Sequence, residues 1–153
     1  MTLSETQASL KQLRRAAPGF QQTFQTPFKE LKRFVATIVS GCHLQGGCLT
    51  IDQVVFEPTH LIDLLNRYSI PPRYGRGLSL TAVGQDEVEV LLHAAFSDTI
   101  DFLFVPKPKS FVIYADHDEY TTFYAHTRSN LNRIAKALSG QQVRTIQNYE
   151  RRL

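Results

Sequence analysis

The spacing of apolar residues changes along this chain, and that change limits its fold more than any other feature. In the first half, Phe28, Leu31, Val35, Ile38 and Val39 recur at three- and four-residue steps, as do Leu61, Leu64, Leu65 and Tyr68. A helix turns once in about 3.6 residues, so this spacing gathers side chains on one helical face. From about residue 85 the repeat shortens to two. Glu87–Phe96 (EVEVLLHAAF), Thr99–Val105 (TIDFLFV), Phe111–Ala115 (FVIYA) and Tyr120–Ala125 (YTTFYA) each read as strands, whose successive side chains face opposite ways. The segments between them are short and polar, which favours antiparallel neighbours.

Local signals set the boundaries. Ser4-Glu5-Thr6-Gln7 has capping-box form and predicts a first helix through Leu10 and Leu13 to Arg15, stopped by Pro18-Gly19. Thr26-Pro27 opens a second helix and Gly41 closes it. Cys48–Phe56 is a short β-branched strand, and Pro58-Thr59 opens a third helix that ends before Pro71-Pro72. Arg73–Gly84, with Gly75, Gly77 and Gly84, reads as a loop. Thr127 caps a helix carrying Leu131, Ile134 and Leu138, and Gln141–Gln147 forms a last, edge strand.

The expected fold class is therefore α+β: N-terminal helices, an antiparallel β-meander of about four strands, then a C-terminal helix and an edge strand. One domain spans 1–153, with a mainly helical part at 1–84, the meander plus helix at 85–147 and a frayed tail at 148–153. With 153 residues, 42% of them hydrophobic and 20% charged, the chain can build one core and is not a disordered polymer. No apolar run approaches the roughly 20 residues of a membrane span. The first residues lack the apolar segment of a secretion signal, so a cytoplasmic location is expected.

Charge is distributed more tellingly than its net value of +3. Residues 1–50 carry a surplus of roughly +4, and residues 51–100 a deficit of roughly −4. Three groups could carry chemistry. Asp116-His117-Asp118-Glu119 links two strands: His117 could act as a base oriented by Asp116 or Asp118, although Asp is also a natural turn residue. Arg73 and Arg76 flank Tyr74 in a glycine-containing loop and could grip a phosphate. Cys42, His43 and Cys48, with distant His60, suggest a metal site, but the spacing differs from that of zinc pairs and no second pair follows. No P-loop, dinucleotide fingerprint, G-x-S-x-G or H-E-x-x-H motif occurs, and no cofactor is expected.

The function expected is a non-catalytic protein-binding module, comparable in size and architecture with immunity and antitoxin proteins. Its partner-binding set is Asp116, Asp118 and Glu119 on the hairpin tip with Phe102, Phe104 and Tyr120 on a sheet face. Self-association through the edge strand is a further expectation. The alternatives are nucleic-acid or nucleotide-phosphate binding through the basic helices and the Arg73/Arg76 loop, and a small enzyme built on His117 and its carboxylates.

Overall fold

A computed structural model describes residues 1–5 and 19–152. The described residues form an eight-stranded, wholly antiparallel sheet, and four helices pack on one of its faces. The strands are β1 (Thr2–Glu5), β2 (Phe20–Gln25), β3 (Gly46–Gln53), β4 (Leu78–Val83), β5 (Asp101–Lys107), β6 (Val112–Ala115), β7 (Tyr120–Ala125) and β8 (Thr145–Ile146). The helices are α1 (Leu31–Gly41), preceded by a 3-10 turn at Phe28–Glu30, α2 (Thr59–Arg67), α3 (Gln85–Ser97) and α4 (Arg128–Leu138). Across the sheet the order is β1-β4-β3-β5-β6-β7-β2-β8. The fold class is α+β as the sequence indicates, with twice the strands expected of the meander.

The meander of β5, β6 and β7 forms as read, and α1, α2 and α4 lie where the helical spacing puts them. Thr127 caps α4, its hydroxyl accepting the Asn130 amide N–H at 3.1 Å. The short edge strand also forms, with Thr145 and Ile146 paired to β2. Other boundaries need correction. Residues 85–97 are a helix, not a strand. Glu87-Val88-Glu89-Val90 imitates alternation, but Val88, Leu91, Leu92 and Ala95 are buried at helical spacing. Leu and Ala favour helix, and Asp86 and Glu87 sit in the first turn, where the helix dipole favours negative charge.

The helical part at 1–84 holds four strands. Arg73–Gly84 is only partly a loop. Leu78, Leu80 and Ala82 of β4 alternate inward, against Ser79, Thr81 and Val83 on the other face. Ser4 lies in β1 and starts no helix there, while the helix expected through Leu10 and Leu13 falls outside the described residues. Gly46 and Gly47 both belong to β3. A Cβ on Gly47 would lie 2.3 Å from the Phe104 ring, so this strand needs a glycine for close approach.

Alternation in register divides the sheet into two rows. On the helix side, Leu3, Leu80, Leu49, Phe104, Ile113 and Phe123 lie opposite one another across six strands. Leu49, Leu80, Phe102, Phe104, Ile113 and Phe123 are wholly buried there with the apolar faces of the helices. On the other side the matching row is Ser4, Ser79, Thr50, Leu103, Tyr114, Thr122, Thr23 and Ile146. Its middle members are buried as well, but their hydroxyls are hydrogen-bonded. Thr50 Oγ1 lies 2.8 Å from Ser79 Oγ, and Thr23 Oγ1 lies 2.8 Å from Thr122 Oγ1.

Asp98, which the sequence suggests is a mere connector, is buried and caps a different element. Its two carboxylate oxygens accept the His60 and Leu61 amide N–H groups at 3.1 and 2.7 Å. Helix α2 has no cap from its own leading residue, so this carboxylate satisfies its orphan donors.

Candidate functional site

The residues of the second sheet face converge at one end, where β3, β5, β6 and β7 meet the β6–β7 turn. A register shift in β3 between Ile51 and Gln53 sets Asp52 apart from the regular ladder. Bulges commonly re-aim a side chain in this way. The Tyr114 hydroxyl of β6 donates to Asp52 Oδ2 at 2.6 Å, and Arg76 Nε lies 3.3 Å from Asp52 Oδ1. Burial, and then the bond to Asp52, push the Tyr114 phenol well above its ordinary range. It stays a neutral donor.

The turn is built by its own first residue. Asp116 donates its backbone N–H to the Tyr120 carbonyl and accepts the Tyr120 N–H on Oδ1 at 3.0 Å. Glu119 closes the turn with φ +70°, in the left-handed region. The Asp116 side chain is buried and forms an ion pair with Arg151. His117 is fixed by Asp101, the first residue of β5. Its backbone N–H donates to Asp101 Oδ1 at 2.7 Å, and its Nδ1 lies 2.9 Å from the same oxygen. This bond raises the His117 pKa above its usual value, against a smaller opposing effect of burial. Nε2 faces outward, with Asp118 Oδ1 3.7 Å away.

Arg151 closes the cluster from above the face. Its guanidinium lies over the Tyr114 ring at 4.7 Å and over the Tyr149 ring at 5.9 Å. Burial pulls its pKa below the ordinary guanidinium value. Asp52, Asp101 and Asp116 each meet a donor: Tyr114 and Arg76, His117, and Arg151 respectively. Such a row of matched charges suits recognition and rigidity. Its histidine, His117, is held with its pKa above the ordinary histidine value.

Of the residues singled out in the sequence, Asp116, His117 and Asp118 do lie together, but Asp116 turns inward to Arg151 and leaves Asp118 and Glu119 as the exposed acids. His117 is oriented by Asp101, not by Asp116. Phe102 and Phe104 are fully buried beneath the helices, so a contact surface cannot be built on them. Alternation places them on the core face, and Leu103, Val112, Tyr114 and Tyr124 on the other. Tyr120 is half-buried against the Tyr149 ring, 5.1 Å between centroids.

Arg73 and Arg76 do not converge on one point. Arg73 pairs with Glu5 and Arg76 with Asp52. Cys42 ends α1 and packs against the helix-side core, whereas Cys48 lies on the opposite face of β3. His43 is exposed between them, and His60 bonds Asp98. Among the described residues, no three His, Cys, Asp or Glu side chains are placed to hold a metal ion.

Asp52, Asp101, Tyr114 and Arg151 had no motif to announce them. For Asp52, Asp101 and Tyr114 the available signal was an ionisable or phenolic residue inside a strand pattern, at the position that alternation assigns to the second face, and Arg151, outside any strand, carried none.

Two loops extend this end of the sheet. Asp52, Gln53 and Val54 face Tyr74, Gly75 and Arg76 across a cavity of about 560 Å³. On the same loops Val55, Phe56 and Tyr74 are 42, 59 and 42% exposed. The chain matches no protein-family model, no curated protein and no solved structure. Among the described residues, no helix is long and apolar enough to cross a membrane.

Proposed function

We propose that this chain is a protein-binding module whose contact surface lies at the loop end of the sheet. The observation that carries this reading is the exposure of Val55, Phe56 and Tyr74 on two loops that border one open groove. Large apolar side chains gathered on a surface mark interfaces, and aromatic residues dominate their energetics. The β6–β7 turn borders the same end and presents Asp118 and Glu119 to solvent. The partner that fits is a protein surface with an apolar knob for the cavity rim and basic residues facing the turn. The acids then steer approach, while the aromatics supply most of the affinity.

The test is capture from a native lysate at moderate salt, comparing the intact chain with a Phe56→Asp/Tyr74→Asp variant. One stoichiometric partner should bind the intact chain and be lost from the variant. An Asp118→Lys/Glu119→Lys variant should slow association and reverse its salt dependence. Recovery of no stoichiometric partner, or equal recovery by the aromatic variant, overturns the proposal.

A further inference from the structure

The second sheet face holds a segment of this same chain in a manner that reads one residue type. Residues 148–152 cross β2, β6 and β7, and Arg151 is gripped at both backbone and side chain. Its N–H donates to Gln21 Oε1 at 2.8 Å, and its carbonyl accepts from Gln21 Nε2 at 3.1 Å. The Tyr124 hydroxyl donates to that carbonyl too, at 3.1 Å. A side-chain amide that meets both the N–H and the C=O of one residue grips any extended backbone.

The selective part is the box around the guanidinium. Buried Asp116 supplies the counter-charge, and the Tyr114 ring supplies a flat face at 4.7 Å. A planar, charged, stackable group satisfies both walls, and among side chains that describes arginine. The position two residues before is read as an aromatic. The Tyr149 ring packs on Tyr120, and its hydroxyl accepts from Arg151 Nη2 at 3.1 Å. Beneath lies the small apolar cluster of Leu103, Val112, Tyr114 and Tyr124.

We infer that this face is a binding site for an extended peptide carrying the pattern Tyr-x-Arg, occupied here by Tyr149-Glu150-Arg151. The site adjoins the loop end proposed above, because Tyr114 bonds Asp52 and Asp116 opens the β6–β7 turn, but the grip on Arg151 does not depend on that contact. The partner it fits is a protein segment with an aromatic two residues before an arginine, which competes with the internal segment. An internal occupant acts at an effective concentration in the millimolar range, so the intact chain admits an outside peptide only weakly.

The experiment is a fluorescence-anisotropy titration of full-length protein with a labelled, end-blocked peptide copying residues 147–152. Arg151→Ala loosens the internal occupant and should tighten peptide binding at least about tenfold over the intact chain. Adding Gln21→Ala to that variant should abolish the gain, and a peptide with lysine in place of its Tyr-x-Arg arginine should bind more weakly. If Arg151→Ala does not fold, Arg151→Lys keeps the charge, gives up the planar stack and enters the same titration. Absence of saturable binding to the loosened variant at millimolar peptide, or equal binding with and without Gln21, overturns the inference. Residues 148–152 would then be only a structural brace.

Discussion

The two faces of the sheet are equally well buried in their middle strands, yet they are made of different matter. The helix side is a row of Leu, Ile and Phe closed by four amphipathic helices. The other side sets Thr, Ser and Tyr in the same ladder, with hydroxyls paired and one arginine closing the row. Burial of apolar area scales with contact and carries no direction. Buried hydroxyls and charges must each find a partner in a fixed geometry, and leaving one unmatched costs about 1–3 kcal/mol. The first face therefore supplies stability, and the second supplies position. It is the second that ends in the cluster of Asp52, Asp101, Asp116, His117 and Arg151.

Substitutions can break this contrast. The largest effect is expected on the helix side, where Phe104→Ala removes a ring in contact with Gly47. A loss of about 3–5 kcal/mol is expected in urea unfolding. Gly47→Ala tests the same contact from its other partner. The added methyl meets the ring, and a loss of about 1–3 kcal/mol is expected, part of which Phe104→Leu should restore.

On the second face, Thr122→Val should cost about 1–2 kcal/mol because it leaves the buried Thr23 hydroxyl unmatched. The double Thr23→Val/Thr122→Val chain should cost less than the sum of the two single changes. Strict additivity in that cycle would mean the hydroxyl pair has no mutual interaction, and the contrast between the faces would fail there.

The smallest expected effect is in pH. The Asp101 hydrogen bond raises the His117 pKa above its ordinary value of 6.5. The pair's stabilisation is therefore complete below that value and is lost as pH rises through the folded pKa. His117→Gln should flatten the fall in stability as pH rises above 6.5. An NMR titration should place His117 above a free histidine. A value at or below 6.5 contradicts the geometry.

Much of the framework was legible in the residues. Helical spacing located α1, α2 and α4, and alternation separated Phe102 and Phe104 from Leu103, but it did not say which set meets the helices: the two rings expected on a contact face lie in the core. The errors have local causes. Four residues, Glu87 to Val90, fit both periods, and only the longer run through Ala95 distinguishes helix from strand. In β4, glycines on either side of Leu78–Val83 hid a short alternating run. The site was less legible because its parts come from five places in the chain: Asp52, Arg76, Asp101, the β6–β7 turn and Arg151.

By itself, the sequence determined which residues share one face of most elements. Side-chain period is a local property of backbone geometry, and hydrophobic burial acts on it wherever the element lies. Only the tertiary structure decided which polar residues meet. Asp52 finds Tyr114 across 62 positions, and Asp116 finds Arg151, through strand order and register. Hydrogen bonds and ion pairs act over a few ångströms and leave no periodic trace along the chain. Their partners are fixed only when the sheet closes.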